Sequence, residues 1–158
     1  MARSAKHEAS EAQAPRMGKV LDFMRLLWSV DHGLHSLSKR MNARLEVTGP
    51  QRLVIRIVGR FPGISPGDLA GILKVHKSTL TGILQRLAER GLVERRPSDE
   101  DRRRLHVWLT PAGVKVDAVR AGTVEAALRR AVAKLCDEDI QAAERVLAVV
   151  AAELSEEI

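Results

Sequence analysis

Val20, Phe23, Leu27, Val30, Leu34, Leu37 and Met41 recur at alternating intervals of three and four residues, which is the seam of one long helix. Near the other end, Ile140, Ala143, Leu147, Val150 and Leu154 keep the same rhythm, with Asp137 placed to cap a helix start. Between these seams the pattern is shorter and more heavily punctuated. Thr48 before Gly49-Pro50 reads as an N-cap followed by proline in the first turn, opening a helix through LVIRIVGRF that Pro62-Gly63 ends. Ser65, with Asp68 three positions on, resembles a capping box at the start of a short helix whose buried face would be Leu69, Ile72 and Leu73. HKSTLTGILQRLAERG then puts Leu80, Ile83, Leu84 and Leu87 on one helical face, and Gly91 falls where a helix is closed. LVERR and LHVWL alternate like strands on either side of Pro97-Ser98-Asp99 and so predict a hairpin. Thr110-Pro111 opens a further long helix carrying Val114, Ala121, Leu128, Val132 and Leu135. The fold class that follows is mainly α with a small β-hairpin.

The same pattern divides the chain. Residues 1–16 lack periodicity and are expected to form a disordered arm. Residues 17–46 form a dimerisation helix, 47–112 a compact lobe and 113–158 further dimerisation helices. A self-contained middle lobe cannot cover both apolar seams, so they are expected to interleave with those of a second copy in a homodimer. At 158 residues, with 3% aromatic content and no tyrosine, the composition favours one helical domain over a sandwich or barrel. Cys136 is the only cysteine, which excludes an intrachain disulfide and suits a reducing cytoplasm. No apolar run approaches the roughly 18 residues of a membrane span, so a soluble intracellular protein without a membrane partner is expected.

Charge narrows the partner. Lysine and arginine number 26 against 20 acids, a net +6, yet the stretch from Asp137 onward carries −6 and everything before it +12. A body this basic suggests a polyanion. Two short helices with a tight connection, followed by a hairpin, make the layout of a winged helix-turn-helix, in which the second helix enters the DNA major groove. That helix carries His76, Lys77, Ser78, Thr79 and Thr81 near its amino end, with Lys77, Ser78, Thr81 and Gln85 opposite the apolar face. These groups can donate to base edges and phosphates; the competing reading is a solvated face with Ser78 or Thr79 as cap. The hairpin favours the first reading. Arg95 and Arg96 leave the first strand, and Arg102, Arg103 and Arg104 sit at the tip, suited to the negative potential of a narrow minor groove. Asp101, two residues before Arg103, points to the same side of an extended strand and can brace that guanidinium.

DRRRLHVWLTPAG, Asp101 to Gly113, matches D-x-R-x-x-x-x-x-L-T-x-x-G and resembles the MarR family of bacterial transcriptional regulators, as does the preceding STLTGILQRLAERGLVERR. The resemblance implies a winged helix-turn-helix homodimer with interlocked terminal helices, bound to a pseudo-palindromic double-stranded DNA operator in the cytoplasm, at the nucleoid. It implies a repressor released by a small effector, with Arg103 as the wing arginine in the minor groove and Asp101 as its brace. Many relatives carry an arginine where this chain has Gly82, which moves direct readout toward Lys77, Ser78, Thr81 and Gln85. Arg86 is then assigned to a phosphate, and Arg102 and Arg104 to phosphates or to solvated charge. The alternative is a winged-helix module for protein interaction or non-specific DNA binding, without an effector.

Met24, Trp28, His32 and His35 follow one side of the first helix, with Asp31 among them. The resemblance implies an effector crevice in this region, where a small aromatic acid would stack on Trp28 and hydrogen-bond a histidine. Plain dimer packing of an amphipathic helix is the competing reading. Two histidines do not complete a zinc site, and neither a metal nor another cofactor is expected. Some relatives sense peroxides through a thiol near the amino terminus, whereas Cys136 stands beside Asp137 and Glu138, whose charges disfavour a thiolate, and reads as a bystander. Without a glycine-rich phosphate loop, a nucleophile elbow or a triad spacing, catalysis finds no support and the chain is not expected to be an enzyme.

Overall fold

The computed structural model describes residues 17–97 and 105–156. In chain order its elements are α1 (Lys19–Leu45), α2 (Gly49–Arg60), α3 (Pro66–Leu73), α4 (Lys77–Glu89), β1 (Val93–Pro97), β2 (Leu105–Leu109), α5 (Pro111–Ala118), α6 (Val124–Val132) and α7 (Asp137–Glu156). The chain divides into two units, Met1–Ser36 and Leu37–Ile158. Among the described residues no helix is long and apolar enough to cross a membrane.

In the second unit the core gathers one face from each element of the middle lobe: Val54, Ile55 and Val58 of α2, Leu69 and Ala70 of α3, Leu80, Leu84 and Leu87 of α4, and Val93 and Val107 of the hairpin. Local signals hold these elements in place. Thr48 Oγ1 accepts from the Gln51 amide at 3.4 Å, and the Gln51 side chain accepts from the Thr48 amide at 2.9 Å, a complete capping box at the start of α2. Ser65 forms only half of one. Its hydroxyl accepts from the Asp68 amide at 3.1 Å, but it then donates to the Asp68 carboxylate at 2.6 Å, which keeps that carboxylate from reaching back to the Ser65 amide. The buried face of α3 also differs from the expected one. It runs through Leu69, Ala70 and the half-buried Leu73, which turns Ile72 outward to 51% exposure.

Helix α4 ends on Gly91, whose φ of +64° suits a residue without a Cβ. The Gly91 and Leu92 amides return to the Ala88 and Leu87 carbonyls at 2.8 and 2.9 Å, which satisfies the last turn and throws the chain directly into β1. Strands β1 and β2 pair antiparallel, Val93 opposite Leu109 and Pro97 opposite Leu105. Arg95 and Arg96 are therefore inside β1, opposite Val107 and His106, and do not lie beyond it. Ile64 bridges the other edge of Val107, so the base of the wing is stitched to the turn after α2.

The L-T-x-x-G run acquires a physical reason here. Thr110 Oγ1 caps α5 by accepting from the Gly113 amide at 3.1 Å and donates to the Gly91 carbonyl at 2.5 Å. A Cβ on Gly113 would overlap the Leu92 carbonyl oxygen, so this helix can approach β1 only with glycine at that position. Thr110 and Gly113 tie the end of α4, the start of β1 and the start of α5 into one joint.

The long helix expected after Thr110-Pro111 is broken. Helix α5 stops at Ala118, Gly122 takes a φ of +68°, and Thr123 starts α6 by accepting from the Ala126 amide at 3.3 Å. The cause lies on α2. Arg52, buried to 1% exposure, donates to the carbonyls of Val116, Asp117 (3.4 Å) and Val119 (2.7 Å), and to Glu125 Oε1 at 2.5 and 2.7 Å. Its donors supplement the Val119 amide, which closes on Val116, and the Arg120 side chain, which reaches Asp117 and Val119, where the intrahelical partners of α5 run out. Arg56 pairs with Asp117 at 2.7 Å, and Arg44 donates to the Ala121 carbonyl beside Gly122, where a Cβ would meet the guanidinium. Burial pushes the Glu125 carboxyl up, but the hydrogen bonds and charge from Arg52 outweigh it and hold the group below its ordinary range.

Helix α7 starts at Asp137, not after it. The Cys136 carbonyl accepts from the Ile140 amide at 3.2 Å, which makes Cys136 the cap position and puts Asp137, Glu138 and Asp139 in the first turn. Three acids there suit the positive end of the helix dipole. In the single chain Val146, Leu147, Val149 and Leu154 of α7 are exposed. In the first unit Val20, Phe23, Val30 and Leu34 of α1 are exposed as well.

Candidate nucleic-acid interface

Helix α3 ends on Lys74, held in the left-handed region at φ +51°, and the Lys74 and Val75 amides close back on Gly71 and Ala70 at 3.2 Å. Only Val75 and His76 then precede α4. His76 occupies the N-cap but makes no side-chain capping bond, so neither Ser78 nor Thr79 is the cap. The amides of the first turn of α4 keep no side-chain oxygen of their own, and an uncapped helix start favours an anion. Lys77, Ser78 and Thr79 are exposed around it.

Leu80, Leu84 and Leu87 bury one side of α4. Helical spacing puts Ser78, Gly82, Gln85 and Glu89 on the opposite side, flanked by Thr81 and Arg86. Thr81 Oγ1 donates to the Lys77 carbonyl at 2.8 Å, which spends its proton. Gln85 Nε2 donates to Glu89 Oε1 at 3.0 Å. Thr81, Gln85, Ala88 and Glu89 line an open groove whose other wall is Arg95 of β1. Arg96 is held at the base of the wing instead, 2.5 Å from Glu94 and 5.8 Å over the Trp108 ring. The wing residues Asp101, Arg102, Arg103 and Arg104 lie outside the described residues.

The first unit carries the residues expected to meet an effector. Met24, Trp28 and His32 come together on one face of α1 with Met17, Leu21, Arg25 and Ser29. His35 is not part of that face; its ring nitrogen lies 3.0 Å from the Asp31 carboxylate one turn back. Arg25, which would give an acid a charged partner, is an addition that the helical spacing from Leu21 to His32 already contained. Among the described residues no group of three or more histidine, cysteine or acidic side chains is placed to hold a metal. Cys136 is exposed, and its thiol donates to Asp139 Oδ2 at 3.1 Å.

The buried pair Arg52–Glu125, with Arg56–Asp117, was not apparent from the sequence. Its one legible trace is spacing: Arg52 falls on the same helical side as Ile55 and Gly59, and a Cβ on Gly59 would sit 3.0 Å from the Asp117 carboxylate.

Comparison with known proteins bears on the family and the fold. A model of the MarR family matches residues 45–104. The transcriptional regulator HosA of Escherichia coli O127:H6 is 38% identical over 90 residues, 54% of this chain and 67% of that protein. The HTH-type transcriptional regulator YfiV of Bacillus subtilis is 30% identical over 128 residues, covering 81% of this chain and 78% of the relative. Among solved structures, a mutant of MarR from E. coli complexed with operator DNA superposes with a TM-score of 0.65 at 26% identity, over 83% of this chain and 94% of that one.

Proposed function

The chain belongs to the MarR family of transcriptional regulators and is not an enzyme; from that premise we propose that it is a homodimeric, sequence-specific DNA-binding repressor released by a small ligand. The observation that carries the reading is the face of α4. An uncapped, lysine-bearing helix start and an outward polar stripe stand beside Arg95, on a lobe fixed by buried leucines. That arrangement offers donors for phosphates at one end and for base edges along the stripe. Arg103, aimed by Asp101, supplies the minor-groove contact, and Arg102 and Arg104 meet phosphates. The exposed apolar positions of α1 and α7 form the dimer interface, since such patches on a single chain mark surfaces awaiting a partner.

Dimerisation sets the geometry of binding. Two α4 helices must sit about 34 Å apart to reach successive major-groove faces of a pseudo-palindromic operator. A ligand that prefers a dimer with another spacing releases DNA by shifting the population toward that form. The face of α1 with Met24, Arg25, Trp28 and His32 is the candidate for such a ligand, a small aromatic acid. Competition binding tests the reading: the dimer should prefer an inverted repeat from its own upstream region over random duplex at the same salt by about 1,000-fold or more. Equal affinity for the two would refute it.

A further inference from the structure

We propose that Glu89 is a positioning residue that aims the Gln85 amide at an adenine, making this pair the base-reading element of α4. The inference rests on the reading of α4 as the helix that enters the major groove.

A carboxylate can only accept, so the 3.0 Å bond between Gln85 and Glu89 fixes which end of the amide faces Glu89: it is Nε2. One N–H of Nε2 is used there. With the N–H trans to Oε1 engaged by Glu89, the N–H cis to Oε1 and Oε1 itself are a donor and an acceptor side by side on one planar group, the complement of adenine N7 and its N6 amino group. The neighbours leave that group clear. Gly82, on the same outward stripe, has no side chain, and a Cβ built there would meet nothing within 4 Å. The Thr81 hydroxyl proton is already donated to the Lys77 carbonyl. Gln85 is thus the planar donor-acceptor group on the stripe, and a flexible side chain of this kind reads a base well only when something holds it.

Glu89 has a second, opposite effect. It lines the groove with Arg95, yet it makes no ion pair with a described residue, and its negative charge faces the side where DNA phosphates approach. It therefore weakens attraction to any duplex while sharpening the choice among duplexes.

This opposition gives a test that a merely structural role would not satisfy. Bound duplexes are selected from a random pool, and affinities for the selected site and for random duplex are measured at one salt. Wild type, Gln85→Ala, Glu89→Ala and Glu89→Gln are compared; both residues are exposed on α4 and outside the core. Wild type should select adenine at one position of each half-site, and Gln85→Ala should lose that preference by about 10-fold. Glu89→Ala should lose most of the same preference at the same position, while binding random duplex more tightly than wild type. Glu89→Gln keeps an acceptor oxygen, so it should regain the preference and still bind random duplex more tightly. An unchanged preference in Gln85→Ala or Glu89→Ala overturns the proposal, as does unchanged random binding in both Glu89 variants. A cytosine preference lost only in the Glu89 variants also overturns it, because the carboxylate would then be reading a base itself. A wild type that selects no sequence refutes the sequence-specific reading, which sets that failure apart from failure of the pair.

Discussion

Arg52→Met keeps the length of the side chain and removes every donor. It takes one donor each from Glu125 Oε1 and the carbonyls of Val116, Asp117 and Val119 in a place where Arg52 itself is 1% exposed; Val116 keeps the Val119 amide, and Asp117 and Val119 keep the Arg120 side chain. Removing one partner of a buried ion pair costs about 3–5 kcal/mol, and each hydrogen bond lost from a carbonyl that keeps another donor adds no more than about 0.5–1.5 kcal/mol. The Glu125 side chain keeps 27% of its surface, so part of its charge is resolvated and the lower end applies: about 3 kcal/mol in all. Against a total stability of about 5–15 kcal/mol, the variant should still fold. Urea denaturation followed by far-ultraviolet circular dichroism, at matched protein concentration, should show a lower midpoint with an unchanged slope. The double variant Arg52→Met/Glu125→Leu should recover only part of the loss, since the hydrogen bonds from Arg52 to the carbonyls are still missing. Acid adds an independent check. Glu125 titrates below its ordinary value in the folded protein, so the unfolded chain binds more protons and stability rises with pH through that range. The contribution of the pair is complete above the ordinary glutamate pKa of about 4.3 and drains away as pH falls through the folded value. The gap between wild type and Arg52→Met should therefore be widest at neutral pH and narrow on acidification. A loss below about 1 kcal/mol at pH 7, the size of a surface ion pair, would refute the reasoning.

Gly113→Ala should destabilise the protein by about 1–3 kcal/mol or more, read by the same denaturation, because its methyl group would overlap the Leu92 carbonyl; a neutral effect would mean that α5 is free to shift. Arg103→Ala should weaken operator binding without dissociating the dimer, and Asp101→Ala should do the same through loss of aim; fluorescence anisotropy and light scattering check the two properties, and wild-type binding by both variants would remove the wing contact. Small aromatic acids should raise the melting temperature of wild type more than that of Trp28→Ala; equal shifts would remove Trp28 from the ligand face.

What was legible in the sequence was what short-range chemistry decides. Thr48, Gly91 and Thr110 each act within three residues of an element end, through a hydroxyl or a left-handed φ, so their effect is visible in the local string. The leucines of α4 are legible for a related reason, since one helix face either is apolar or is not. Arg52 fails both criteria. Its acceptors lie 64 to 73 residues away, and three of them are backbone carbonyls, which no side-chain pattern announces. That is also why the segment from Val114 to Leu135 read as one helix: its apolar rhythm continues across Gly122, while the groups that break it belong to α2. Such a break is not a flaw in the pattern. Arginines from α1 and α2 hold the Val119–Thr123 segment by its carbonyls, so the direction in which α6 leaves the lobe is set by charged side chains. An apolar contact tolerates sliding, whereas a guanidinium with several fixed acceptors does not. A regulator whose two reading helices must keep one spacing needs that kind of joint between its DNA-binding lobe and the helices proposed to pair, and the loss of stability in Arg52→Met should be accompanied by weaker operator binding at concentrations where the dimer persists.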